Sequence, residues 1–401
     1  MALSRPGWPG RRPAFAILLA FAMGIASMVA FVLGTLAPFL KQDLGLSRAS
    51  LGLLATGMIA VAALLSPLAG GLVDRVGGRP MLALIFAVTA AGLLAMALGG
   101  TYAWLLAGAG VAGIATAIGN PATNQLISRH VPRGTQGTVI GVKQSGVQAA
   151  TFLTGLLLPS LATALGWRRA LAVSALPSLL GLAATFLLVP ATGRAAAPAP
   201  AGPDDATAPG VARLTLYGAL MGFGVSAVGA YTVLYGVERL GLSASAGGLA
   251  IALLGLAGIA SRIAWARRID RGTPASAALV AMALGGAGAV ALIWAAELAG
   301  AWLALVGALV FGATATAWNA VGNLVLVREL PAAVAGRMAG ILQAGFFTGF
   351  AIGPACFGAL VDATGSYGAG WSVAMAALAA AGGLLAVWRP ARAYGPTWRP
   401  A

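Results

Sequence analysis

The chain has 401 residues, of which 60% are hydrophobic and 8% charged, with a formal net charge of +15. Such a composition excludes a water-soluble domain, whose surface needs far more polar groups, and places the chain in lipid. The basic residues are scattered in short segments between apolar stretches, which excludes a concentrated nucleic-acid-binding surface.

Apolar stretches long enough to cross the hydrocarbon core as helices run at about 14–38, 46–72, 80–99, 102–127, 137–162 and 167–190. More follow at about 214–236, 243–266, 274–295, 300–326, 337–361 and 370–388. The one long hydrophilic interruption, 191–213, is rich in Ala, Pro and Gly, the composition of a linker. The pattern predicts an all-α membrane protein of twelve transmembrane helices: a six-helix bundle over 1–190, a linker over 191–213 and a second six-helix bundle over 214–401. The other connections are too short to house a catalytic domain. Arg5, Arg11 and Arg12 precede the first apolar run as in a signal peptide. That run is too long for one and lacks a clear cleavage site before Lys41, so it reads as the first transmembrane helix.

With both termini inside, 18 basic residues, Arg262 at the cytoplasmic end of the eighth span counted among them, fall on the cytoplasmic side and 5 on the other, with Lys143 within a span. This bias sets the orientation by the positive-inside rule. Arginine outnumbers lysine 22 to 2 and alanine and glycine abound, which fits a GC-rich bacterial genome and a multi-pass inner-membrane location. The single cysteine, Cys356, lies in the eleventh span, so neither a disulfide framework nor a metal-ligand cluster is expected, and no cofactor is implied.

The second half repeats the first. At an offset of 196, Leu44-Gly45-Leu46-Ser47 returns as Leu240-Gly241-Leu242-Ser243, and Asp74-Arg75 as Asp270-Arg271. At an offset of 199, Gly113, Asn120, Asn124, Arg129, Pro132, Gly137, Gly141, Gln144 and Gly146 return as Gly312, Asn319, Asn323, Arg328, Pro331, Gly336, Gly340, Gln343 and Gly345. Two such halves suit rocking around a shared site at their interface. The glycine pairs at four-residue spacing, Gly137 with Gly141 and Gly336 with Gly340, read as helix-packing seams.

Between the second and third spans stands Gly70-Gly71-Leu72-Val73-Asp74-Arg75-Val76-Gly77-Gly78-Arg79. This resembles the signature loop of the major facilitator superfamily, with Gly78 where that family usually has a basic residue. A degenerate second copy, Ala266-Arg267-Arg268-Ile269-Asp270-Arg271-Gly272, stands at the matching place in the other half. The resemblance extends over essentially the whole chain and implies two pseudo-symmetric six-helix bundles acting as a secondary transporter. It also implies that the loop latches the halves on the cytoplasmic side, with Asp74 facing the start of the eleventh span near Gly336 and Arg337, and Arg75 and Arg79 bracing it. Gly70, Asp74, Arg75, Gly77, Arg79, Asp270 and Arg271 form the expected cytoplasmic gate motif.

Charges inside a bilayer cost several kcal/mol, about 2.5–3.5 on insertion scales, and mark candidate functional sites. Lys143 in the fifth span and Arg262 in the eighth are such residues, one in each half. Both side chains are long enough to snorkel to the interface instead. Around them fall Asn120, Asn124, Gln144 and Gln148, and in the other half Asn319, Asn323 and Gln343. These amides serve either as interhelical hydrogen bonds or as the lining of a wet cavity. Tyr231 in the seventh span reads either as a further hydroxyl donor to the same cavity or as an interfacial anchor.

No Asp or Glu falls well inside a span, so a cavity holding Lys143 and Arg262 would be electropositive. The expected substrate is a small organic or inorganic anion such as a monocarboxylate, with proton coupling available because the substrate itself can take up a proton. The chain is expected to act as a monomer. No nucleophile–base set, phosphate-cradling loop or carboxylate pair supports an enzyme. The alternatives are a proton-driven efflux pump for amphipathic drugs and a non-transporting membrane sensor.

Overall fold

The repeated tetrapeptide is a helix stop followed by a helix start. In both halves its glycine takes a left-handed conformation, with φ of 62° at Gly45 and 64° at Gly241, which ends one helix without a Cβ clash. The serine then caps the next helix. Ser47 Oγ accepts from Ser50 N at 3.0 Å, and Ser243 Oγ accepts from Ala246 N at 3.2 Å. Two tight turns of identical design follow from one sequence motif.

The computed structural model describes residues 12–132, 135–189, 209–319, 321–322 and 332–387. All regular structure among them is helical. The first half comprises α1 (Arg12–Leu44), α2 (Arg48–Val76), α3 (Gly78–Gly99), α4 (Tyr102–His130), α5 (Gln136–Leu165) and α6 (Trp167–Leu188). The second comprises α7 (Pro209–Leu240), α8 (Ala244–Asp270), α9 (Ala275–Ala299), α10 (Trp302–Ala313), α11 (Ala332–Thr364) and α12 (Tyr367–Ala386). Eleven helices among the described residues are long and apolar enough to cross a membrane, and α10 with its continuation, Trp302–Ala317, is a shorter apolar helix. The proposed linker lies largely outside the described residues, and α7 begins within the stretch read as linker, at Pro209.

Two spans are less regular than their hydropathy suggests. In α6 the helix breaks at Ala175, just before Pro177, whose missing N–H leaves the Val173 carbonyl without its helical donor. In α10 the break falls at Thr314, with φ −120° and ψ −77°, and Ala315–Ala317 form a 3₁₀ turn. Side chains of α8 satisfy the freed backbone: Ser261 Oγ donates to Gly312 O at 3.1 Å and Trp265 Nε1 to Ala313 O at 3.0 Å.

The repeated glycines are where helices cross. A Cβ on Gly113 would lie 2.3 Å from Met58 O, and one on its repeat partner Gly312 would lie 2.1 Å from Leu254 O, so α4 meets α2 as α10 meets α8. A Cβ on Gly146 would lie 1.7 Å from Ala20 O, and one on Gly345 would lie 2.4 Å from Thr215 O, so α5 meets α1 as α11 meets α7. Lipid supplies no hydrophobic drive between helices, so such close backbone contact is the main source of association. Gly141 does not belong to a seam: nothing lies within 4 Å of where its Cβ would be, because that face of α5 is open. The side-chain surroundings of Gly137, Gly336 and Gly340 lie outside the described residues.

The two α5 glycines therefore predict opposite outcomes. Gly146→Ala should destabilise the protein by about 3 kcal/mol or more through overpacking, while Gly141→Ala should be neutral or stabilise by up to about 1 kcal/mol. Thermal unfolding in detergent checks the pair, and equal melting temperatures would contradict the assigned crossings.

Candidate functional site

A cavity of about 150 Å³ lies between the halves, lined by α1, α2, α4 and α5 on one side and α7, α8, α10 and α11 on the other. Its wall is mostly apolar, with Phe31, Phe311, Trp318, Phe346, Phe347 and Phe350 the bulkiest members. Trp318 is held edge-on to Tyr217 and tilted against Phe346, with ring centroids 5.8 and 5.2 Å away. The polar lining includes Asn120, Gln144, Gln148, Arg262, Asn319 and Gln343. Asn319 Nδ2 donates to Gln343 Oε1 at 3.4 Å. Asn323 lies outside the described residues.

Neither intramembrane cation snorkels. Arg262 lines the cavity from α8 and reaches the opposite half, where its Nη1 donates to Gln144 O at 2.5 Å. Its Nε is buried without a hydrogen-bond partner, as is Gln148 Oε1, which lines the cavity from α5 of the other half. Lys143 is only 1% exposed and is absent from the lining, because it points between α4 and α5. Its Nζ donates to Asn124 Oδ1 at 2.6 Å and to Asn120 Oδ1 at 3.1 Å. Asn120 Oδ1 also accepts from Gln144 Nε2 at 3.2 Å. A continuous polar chain thus runs from Asn124 through Lys143, Asn120 and Gln144 to Arg262, crossing from one half to the other.

The gate motif lies at the end of the molecule marked by Asp74. Gly77, with φ 98°, turns the chain from α2 into α3. Gly78 leaves no room for the usual basic side chain, since a Cβ there would lie 2.6 Å from Leu126 Cγ of α4. Asp74 Oδ1 accepts from Gln125 Nε2 at 3.0 Å, a contact within the first half. Arg79 Nη2 donates to Phe186 O at 3.0 Å and the guanidinium lies 5.3 Å from the Phe186 ring centre, tying the loop to α6. Gly70 has open space around it, and Arg75 and Arg271 are exposed. The side chains of Asp270 and Arg337, and the expected contact of Asp74 near Gly336, lie outside the described residues.

At the opposite end the halves are sealed by a charge cluster that the sequence reading left unassigned. Arg48, opening α2, donates from Nη2 and Nε to Glu238 Oε2 of α7 at 2.6 and 3.0 Å, and from Nη1 to Asp362 Oδ1 of α11 at 3.3 Å. Lys41 pairs with Glu238 Oε1, and Tyr367 of α12 donates to Glu238 Oε2 at 2.8 Å. Asp362 also accepts from the backbone of Arg48 and Ala49 at 3.3 and 2.8 Å, so a carboxylate from one half caps a helix N-terminus of the other. Beneath the charges, the Tyr231 hydroxyl sits 2.7 Å from Arg48 O and 2.9 Å from Pro354 O, placing Tyr231 in the seal rather than on the cavity wall. A Cβ on Gly52 would lie 2.3 Å from Pro354 O, so backbones of α2 and α11 touch there. The available signal was electrostatic: the half supplying Lys41 and Arg48 faces the half supplying Glu238 and Asp362 at matching span ends.

Helices that repeat the same turns and crossings in both halves, a cavity between the halves and a charge cluster closing one end are the arrangement of a helical membrane transporter. The sequence profile of the Major Facilitator Superfamily matches residues 19–354, and the chain belongs to that family. Human solute carrier family 2, facilitated glucose transporter member 10, is 31% identical over 154 residues, which is 38% of this chain and only 28% of that protein. The crystal structure of a D-xylose-proton symporter is similar with a TM-score of 0.77 at 15% identity, covering 96% of this chain and 98% of that one. A POT family transporter in complex with 5-aminolevulinic acid is similar with a TM-score of 0.78 at 12% identity, covering 95% and 96%. At these identities the structures share the fold.

The four sealing side chains are each 18–29% exposed, so single pairs contribute only about 0.2–1 kcal/mol and the seal can open. Glu238→Gln removes the carboxylate that serves Lys41 and Arg48 together. A cysteine at Ala30 on the cavity wall, in a Cys356→Ser background, should then react several-fold faster with a membrane-impermeant maleimide added from the Arg48 side. An unchanged labelling rate would show that the cluster does not hold this end shut.

Proposed function

We propose that the protein is a secondary transporter that carries a small organic or inorganic anion by alternating access, with a monocarboxylate the best fit. The observation that carries this reading is Arg262. One edge of its guanidinium is anchored on the Gln144 carbonyl, and its Nε–H is buried with no acceptor among the described residues. An unpaired buried charged group is costly, and a carboxylate oxygen is the acceptor that suits a guanidinium best. The cavity lining among the described residues contains no carboxylate to serve instead.

The size of the cavity, about 150 Å³, lies below the roughly 300–1,000 Å³ of sites for drug-sized ligands. That favours a small acid over the amphipathic drugs of the efflux alternative. The apolar wall suits the hydrocarbon part of such an acid. The arginine and lysine bias, 17 to 5 once the cavity-lining Arg262 is set aside, supports an orientation with both termini and the Asp74 end in the cytoplasm of a bacterial inner membrane. The cavity forms within one chain, which supports a monomeric unit. A proton or the protonated substrate would supply the driving gradient.

Uptake of labelled butanoate into proteoliposomes tests the reading. Arg262→Gln should lower uptake at least tenfold, and Arg262→Lys should restore only part of it, because an ammonium lacks the planar fork. Equal uptake by all three proteins would refute the anion site.

A further inference from the structure

We infer that Lys143, although walled off from the cavity, is the positioning residue that sets its preference for an anion by fixing which way the Asn120 amide faces. This rests on the proposed carriage of a carboxylate and adds a second selector to Arg262.

An ammonium has three donors and no acceptor, so whatever faces Lys143 Nζ must be an oxygen. It therefore fixes two amides at once, with Asn124 Oδ1 at 2.6 Å and Asn120 Oδ1 at 3.1 Å. Asn120 Oδ1 takes a second donor, Gln144 Nε2, at 3.2 Å. With its oxygen occupied twice, Asn120 is left with its amino group, a pure donor, to present to the cavity that it lines. Lys143 is 1% exposed and has no carboxylate among its hydrogen-bond partners. As a bare packing residue it would be a poor choice, because burying an unpaired ammonium is costly and a leucine or methionine would fill the same volume. Its charge serves instead to hold an amide that would otherwise be free to rotate by half a turn.

A free asparagine amide offers a ligand either an N–H or an oxygen and so accepts carboxylates and neutral amides alike. Locked by Lys143, it offers only N–H. A carboxylate, which has acceptors alone, is accepted, and a carboxamide, whose NH₂ needs an acceptor, is disfavoured at that position. Arg262 Nε, also a donor, reinforces the same choice from the other half.

The test is the ratio of initial uptake of butanoate to that of its isostere butanamide in proteoliposomes. In the wild type the ratio should be well above one. Lys143→Met should lower it about fivefold or more, mainly through a raised KM for butanoate, whereas Lys143→Arg, still a pure donor, should retain most of it. Asn120→Ala should lower it similarly, and in that background Lys143→Met should change it no further, since one acts through the other. Additive losses, or a ratio unchanged by Lys143→Met, would overturn the inference while leaving the Arg262 site standing. If Lys143→Met does not accumulate, an unchanged ratio in Asn120→Ala overturns it equally. A wild type that takes up neither compound, or favours butanamide, removes the carboxylate reading and this inference with it.

Discussion

A positive charge placed in a medium of low dielectric must be met by oxygen, and the rest of this molecule is arranged around that constraint. Two cations sit within the membrane, and no carboxylate lines the cavity among the described residues. Amide and backbone oxygens do the compensating: Asn120 and Asn124 for Lys143, and the Gln144 carbonyl for Arg262. These are dipoles, weaker partners than charges, so the region keeps a net positive potential and Arg262 keeps an unsatisfied N–H. A helix pair that carries such a network cannot slide freely without breaking it, so at the proposed site the polar chain would tie the fit of an anion to the relation between the two halves.

The Arg48 end solves the opposite problem. There, full charges face full charges, cations from the first half against carboxylates from the second. Each half alone would carry like charges side by side, and closing the end neutralises both. Partial exposure keeps each pair weak, while the glycine-to-proline backbone contact of Gly52 and Pro354 below them gives the closed arrangement a defined geometry. A seal built of several weak pairs over one tight contact can be both specific and reversible, as the proposed alternating access requires.

Much of the fold was legible because its signals are local or periodic. Spans follow from runs of apolar residues, and the repeated Leu-Gly-Leu-Ser follows from one left-handed glycine and one capping serine used twice. Gly113 with Gly312, and Gly146 with Gly345, recur because the same crossings recur. The breaks in α6 and α10 were hidden, since hydropathy is blind to where a continuous apolar run unwinds. At the site, sequence brought the right neighbourhood into view but not the direction of each side chain. Lys143 and Gln144 are adjacent in sequence and project about 100° apart on a helix, so only the packing of α5 against α4 decides that the lysine faces inward and the glutamine faces the cavity. The place of Tyr231 in the seal and the Arg48 cluster escaped for another reason: their partners are more than a hundred residues distant, and span-end charges look alike until the two halves are set face to face.

The most direct measurement is solid-state NMR dipolar recoupling in a lipid bilayer between protein labelled with nitrogen-15 at arginine Nε and an acid labelled with carbon-13 at its carboxylate. The account predicts a dipolar contact from one arginine, corresponding to nitrogen and carboxylate oxygen about 2.8 Å apart, that vanishes when Arg262 is lysine. No contact, or one that survives that replacement, would contradict it.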